Sequence, residues 1–366
     1  MAIYYDNILL SNCTFDKEEK IFSLSNDEND YYINISYIPK LVTEEEEYKP
    51  EDYSVFLFEN NHLNAENDAF QLYDKDKDER IGWIFPISIL ESNENDFDRN
   101  IHLNMYKLVV YKILLSNSFE YRVNINEINK SLSLSHIYGD DTIICILSKD
   151  KISEGEFNIH SYYPCLAIYG YFEKNNNKLV VKYPNNLIVE TYRNKTKLYI
   201  KKTNNNILKL DFVKKLYCNY LKTLDHHLIR FHLLYQIIEY LITENFSSEF
   251  DQLLTKYNNN EITKNNFLEK INEIRSERKN IRKIIDKIKL QTDFEKQVNT
   301  DLKRTIKDFL RNFNIEENEH LGDLIYDMRN IIIHNYREIK DENLDLINEI
   351  SYLFEILINV VIIKSP

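Results

Sequence analysis

Arg329, Asn330 and His334 interrupt one of the most apolar stretches of a 366-residue chain, "MRNIIIHNYRE" at residues 328–338. Each brings a different chemistry. An imidazole, with an ordinary pKa of about 6.5, can take or return a proton near neutral pH and contribute roughly 10² to 10⁴ in rate. A guanidinium can clamp an oxyanion such as a phosphate through paired hydrogen bonds and stabilise its developing charge. An asparagine amide can orient the histidine or hold a phosphate oxygen. The plainer reading is that all three cap and solvate a helix end.

The element carrying them reads as a helix over residues 319–336. On a wheel of about 100° per residue, Leu321, Leu324, Ile325, Met328, Ile331 and Ile332 share one apolar face, which has to pack on other helices. Arg329 and His334 flank that face on opposite shoulders, and Asn330 lies on the far side between them. Tyr326 and Ile333 also fall on the far side, seven residues apart. Apolar groups beside a polar cluster, opposite the core, point to a second contact surface that a homodimer would bury.

The helical period starts near residue 210. "LLYQIIEYLI" places Leu234, Ile237, Ile238 and Leu241 on one face, with Glu239 at its border. Phe267, Ile271, Ile274, Ile281, Ile285 and Ile288 alternate at three- and four-residue steps in the segment 265–290, which predicts one long helix packed along another. A last helix is expected at 342–363, capped by Asp341. Before residue 210 the pattern is that of strands. "YYINISYI", "SVFLF", "TIICIL", "LAIYGYF", "KLVVKY" and "LIVETYR" are short and rich in β-branched and aromatic residues. "YFEKNNNKLVVKY" reads as a hairpin, and "MYKLVVYKILL" fits a strand or a buried helix equally. The acidic stretches "VTEEEEYKPED" and "NNHLNAENDAFQLYDKDKDER" read as exposed loops. The chain is therefore expected to be α+β, with a β-rich sensor or specificity domain at 1–208 and a helical bundle at 209–366.

Composition narrows the function classes. Five glycines, with no GxxxxGK or GxGxxG, leave nucleotide binding through a glycine-rich turn unsupported. The first residues, "MAIYYDNILLSNC", have an acid at Asp6 and no basic region, unlike a signal peptide. "YLFEILINVVIIK" is read as too short to span a membrane and carries Glu355 and Asn359. Cys13, Cys145, Cys165 and Cys218 lie far apart, which suits a reducing cytoplasm and argues against a zinc site. The net charge of −13 is uneven. Residues 1–100 hold 8 basic and 24 acidic side chains, whereas residues 101–205 hold 14 and 9. An acidic total of that kind leaves local nucleic-acid binding open.

Other clusters carry less. Asp74, Asp76 and Asp78 open like a calcium loop, but Glu79 and Phe85 stand where an EF-hand needs glycine and a bidentate glutamate. His226, His227 and His232 are spaced wrongly to place two imidazoles side by side. No metal and no cofactor is therefore expected. The tract at 182–202 interleaves Tyr183, Tyr192 and Tyr199 with Lys182, Arg193, Lys195, Lys197, Lys201 and Lys202. It could track a phosphate backbone, but a solvated β-meander is the simpler reading.

"RNIIIH" resembles the motif of the HEPN superfamily of helical-bundle ribonucleases, which is Arg, four to six residues, then His, often with Asn directly after the Arg. Arg329, Asn330 and His334 match it, on the penultimate helix of a bundle, and "LLYQIIEYL" with Glu239 resembles the first long helix of such domains. The likeness covers about residues 212–363. With a β-rich region in front, the chain looks most like the ApeA-like HEPN proteins of bacterial antiphage defence. The resemblance implies a cytoplasmic, metal-independent RNA endonuclease acting in abortive infection. Arg329, Asn330 and His334 would be catalytic and Glu239 auxiliary, in a homodimer that brings two Arg–His pairs into one groove. Attack by the neighbouring 2′-OH would leave a 2′,3′-cyclic phosphate and make DNA inert. A phage-derived trigger is an expected partner; a membrane is not. "RNIIIHNY" also matches the Arg-x4-His-x-Tyr pattern of HEPN toxins paired with nucleotidyltransferase antitoxins, which would make Tyr336 a modification site. Packing of Tyr336 at the helix end and a catalytically silent HEPN module are the remaining alternatives.

Overall fold

The computed structural model describes residues 2–5, 7–28, 31–38, 48–60, 69–92, 99–116, 122–125, 132–152, 158–174, 195–203, 206–315 and 318–364. The fold class is α+β. The chain divides into two compact units, Met1–Ile159 with Tyr169–Lys201, and His160–Ile168 with Lys202–Pro366. The break near residue 202 lies close to the expected 208, but the helical unit also takes residues 160–168.

Among the described residues the first unit contains twelve strands. They are β1 (Ala2–Tyr5), β2 (Ile8–Leu10), β3 (Asn12–Asp16), β4 (Ile21–Ser25), β5 (Tyr32–Ser36), β6 (Tyr53–Asn60), β7 (Phe70–Asp74), β8 (Glu79–Pro86), β9 (Arg122–Ile125), β10 (Ile143–Ser148), β11 (Tyr171–Glu173) and β12 (Lys197–Ile200). The largest sheet has the order β11-β6-β10-β8-β7-β12, and two three-stranded sheets, β2-β1-β9 and β3-β4-β5, complete the set. Strand β10 is buried along its whole length, which explains the unbroken apolar run of "IICIL". A Cβ at Gly82 of β8 would stand 2.0 Å from the Ile146 carbonyl oxygen, so glycine lets β8 and β10 approach. "MYKLVVYKILL" resolves as helix. It lies in α1 (Ile101–Leu114), started by Asn100, whose side chain accepts from the Leu103 N–H. Val109, Val110, Tyr111 and Leu114 join Trp83, Phe85, Ile144 and Ile146 in one core.

Two sequence readings change here. Phe70–Asp74 is a strand rather than loop, and "DKDKDE" is the turn that joins it to β8. Asp74 Oδ1 accepts from the N–H groups of Asp76 (2.8 Å) and Lys77 (3.0 Å), so that carboxylate closes a turn. "LAIYGYF" is not one strand. Gly170, at φ +81°, divides it into α2 (Tyr163–Ile168) and β11, and α2 belongs to the helical unit. "KLVVKY", "LIVETYR", the strand pairing of the 171–183 hairpin and "VTEEEE" lie outside the described residues.

The helical unit contains α3 (His227–Asn258), α4 (Lys264–Ile274), α5 (Glu277–Lys287), α6 (Asp293–Arg311), α7 (Leu321–His334) and α8 (Leu344–Lys364). Helix α8 packs against α2, α3 and α6 and is buried almost all round. Together with the 3₁₀ turn before it, α8 is long and apolar enough to cross a membrane, contrary to the expectation that its apolar run is too short. Its most apolar window is nevertheless 78% buried within the protein. Each of the two polar interruptions in that run has an internal partner for one of its polar atoms. Glu355 Oε2 accepts from Arg230 Nε at 2.8 Å, and Asn359 accepts the Tyr217 O–H.

The long helix expected at 265–290 is two helices. Ser276 ends α4's run by capping α5 through the Lys279 N–H, and the buried Asn280 amide returns to the Ile274 carbonyl at 2.7 Å. The 32-residue helix of the unit is α3 instead. Asp341 does not cap α8; it opens the 3₁₀ turn Asp341–Asn343.

Candidate active site

Helix α7 positions the three opening residues. Its expected apolar face is the observed one, since Leu321, Leu324, Ile325, Met328, Ile331 and Ile332 are all buried. The opposite face is held against α5, which the sequence pattern did not suggest. Arg282 pairs with the buried Asp323, Arg278 pairs with Asp327, and a Cβ at Gly322 would meet the Arg282 backbone at 2.9 Å. Two ion pairs and a glycine contact thus fix α7 between α5 and α6.

Arg329 sits at the junction of α3, α5 and α7, with its side chain 18% exposed. Its guanidinium carbon lies 5.7 Å from the centre of the Tyr235 ring. Nη1 is 3.3 Å from Asn330 Oδ1 and 3.4 Å from His334 Nε2. Nη2 is 3.6 Å from Glu239 Oε1, and Nε is 3.7 Å from Glu277 Oε1. Among the described residues the buried Nε–H has no hydrogen-bond partner. A guanidinium–carboxylate bond is normally about 2.7–2.9 Å, so the two glutamates balance the charge without saturating its donors. The Tyr235 hydroxyl fixes Glu277 by donating to Oε1 at 2.7 Å. Burial, with the Glu277 bond and charge adding to it, pushes the Tyr235 phenol well above its ordinary pKa, so it stays a donor.

The wheel placed Arg329 and His334 on opposite shoulders, about 140° apart. The structure brings them into contact, because the arginine is long and His334 is the last residue of the helix. Glu239 joins them through Arg329. The two expected interface residues separate. Tyr326 is half-buried, with the Arg278 guanidinium 4.9 Å from its ring centre, whereas Ile333 is 37% exposed beside His334. Tyr336 does not pack at the helix end; it is 55% exposed in the 3₁₀ turn Tyr336–Glu338. Tyr235 and Glu277 were missed by sequence reasoning. Tyr235 stands one turn before Glu239 on α3, a signal that could have found it. Glu277 reaches the site only through the α4–α5 break.

The weaker clusters find ordinary roles. His226 and His232 are exposed, and His227 is half-buried with its ring edge-on to Tyr352. Burial, and then the nearby Arg230 charge, lower its pKa. Within the first unit, Lys197 Nζ lies over the Tyr73 ring at 4.4 Å and Lys201 is 3.4 Å from Asp76. Tyr183, Tyr192, Lys182 and Arg193 of the basic tract lie outside the described residues. No disulfide joins the four cysteines.

No family model, no curated protein and no solved structure matches the chain. The functional reading therefore rests on the residues themselves.

Proposed function

We propose that the protein is an RNA endonuclease of the HEPN type, working without a metal ion. The observation that carries this reading is the contact of Arg329 with His334 and Asn330 at the accessible end of α7. A guanidinium can only donate. The Arg329–His334 contact is therefore a hydrogen bond when Nε2 holds a lone pair, and that lone pair becomes free to take a proton once Arg329 turns to the phosphate.

In the proposed reaction His334 takes the proton of a ribose 2′-OH and the 2′-oxygen attacks the adjacent phosphorus. The bond to the 5′-oxygen breaks, that oxygen is protonated, and the products are a 2′,3′-cyclic phosphate and a 5′-hydroxyl. Arg329 and Asn330 hold the phosphate while charge develops on it. One chain offers one Arg–His pair, and a two-fold dimer through the Ile333 surface would supply a second imidazole as the acid. The β-rich unit would sense a trigger or select RNA, and the setting would be antiphage defence by abortive infection in the cytoplasm.

A second reading, a silent binding module, draws on the two glutamates that already flank Arg329. Treating total RNA and DNA with the purified protein, with and without EDTA, separates the two. The proposed enzyme cleaves RNA alone and ignores EDTA.

A further inference from the structure

The chain immediately after His334 is ordered and carries two accessible side chains that the proposed reaction leaves unused. The Asn335 N–H donates to the Ile331 carbonyl at 2.9 Å, ending α7. The Glu338 N–H then returns to the Asn335 carbonyl at 2.9 Å, and the Ile339 N–H to the Tyr336 carbonyl at 3.2 Å. These bonds hold Tyr336 and Arg337 on a fixed turn. Both side chains are exposed, and among the described residues neither has a hydrogen bond, an ion pair or a ring contact. Most large aromatic rings of the helical unit are buried or stacked, as Tyr235 is beneath Arg329 and Phe309 is beside Phe313.

We propose that Tyr336 and Arg337 form the docking shelf for single-stranded RNA, Tyr336 stacking on a base and Arg337 holding the flanking phosphate. This rests on the ribonuclease reading and adds how the substrate is held. An exposed tyrosine offers a flat apolar face to any base, and an unpaired guanidinium beside it matches the backbone charge, the combination that single-strand binding sites use. The two residues from His334 to Tyr336 span at most about 7 Å of chain. Allowing for the reach of the two side chains, a base on Tyr336 thus belongs to a nucleotide within a few of the one whose 2′-OH faces His334. Stacking of this kind reads no sequence, so the shelf selects unpaired RNA and leaves sequence choice to other parts of the protein.

The test is binding of a fluorescent 2′-O-methyl oligoribonucleotide, which has no 2′-OH to attack, measured by anisotropy on the full chain. Tyr336→Ala should weaken binding by about 5- to 100-fold, the loss that removing one base–aromatic stack produces. Tyr336→Phe keeps the ring and should stay within about twofold of wild type. Arg337→Gln should lower the slope of log affinity against log salt by about 0.7, the value for one phosphate contact on a single strand. If wild type binds but Tyr336→Ala binds equally well, the shelf is wrong and the ribonuclease reading stands. Equal weakening by Phe and Ala would assign the effect to the hydroxyl and overturn stacking. Failure of wild type to bind any RNA would overturn the ribonuclease reading and the shelf with it.

Discussion

Arg329 Nη1 and His334 Nε2 lie 3.4 Å apart although the residues start from opposite shoulders of one helix. The arginine reaches this position over a floor made by Tyr235, between Glu239 and Glu277. Its donors face partners at 3.3 to 3.7 Å on three sides, so the guanidinium is held in place yet keeps capacity for a further anion.

The floor itself can be tested. Tyr235→Phe keeps the ring and removes the O–H that fixes Glu277, and should lower unfolding stability by about 0.5–1.5 kcal/mol, the net contribution of one hydrogen bond. Cleavage should fall but persist, because Arg329 keeps its other contacts. Denaturant unfolding beside a cleavage assay measures both. An unchanged protein in both assays would mean that Glu277 needs no brace.

Glu239 is a supporting group in this account. Its pair with Arg329 is long, at 3.6 Å, and its own side chain is 44% exposed, so solvent screens the interaction. Glu239→Gln should keep cleavage within about tenfold of wild type and change stability by about 0–1 kcal/mol. Complete loss of activity in a folded protein would move Glu239 into the catalytic machinery.

The proposed dimer rests on Ile333. Tyr326 is covered by Arg278, which leaves the exposed Ile333 as the apolar part of the patch beside His334. Ile333→Asp would bury two like charges near a two-fold axis. It should yield a folded monomer that does not cleave RNA, as read by light scattering, circular dichroism and a nuclease assay. A fully active monomer contradicts the composite site.

A pH dependence of stability arises at Glu295. Burial alone would raise its carboxyl, but the Lys364 ammonium and the Gln291 and Thr292 N–H groups together outweigh burial and hold it below the ordinary 4.5. A depressed folded pKa means stability that is present above 4.5 and lost as pH falls through the folded value. Wild type should therefore lose stability on acidification below pH 4.5 more steeply than Glu295→Gln. Parallel curves for the two proteins would place the acid sensitivity elsewhere.

Periodicity made the α+β division legible, along with the apolar face of α7 and the membership of Leu234, Ile237 and Ile238 in the core. It failed where local chemistry overrides period. Ser276 and Asn280 break a seam that looks continuous from Phe267 to Ile288, and Gly170 splits an apolar run into helix and strand. The site was legible in part. Arg329, Asn330 and His334 share one short segment, so their types and spacing were enough to single them out. Tyr235 and Glu277 come from two other helices, and only tertiary packing brings them to Arg329. The wheel also treated side chains as spokes, which hid the contact between Arg329 and His334.

The most direct test of the ribonuclease reading is RNA cleavage by His334→Ala beside wild type, purified alike and assayed with EDTA present. The side chain is exposed at the end of α7, so the variant should fold and assemble normally. Wild type is predicted to generate 2′,3′-cyclic phosphate ends from RNA, and His334→Ala to generate none. Equal cleavage by the two proteins, or an activity that EDTA removes, would contradict the account.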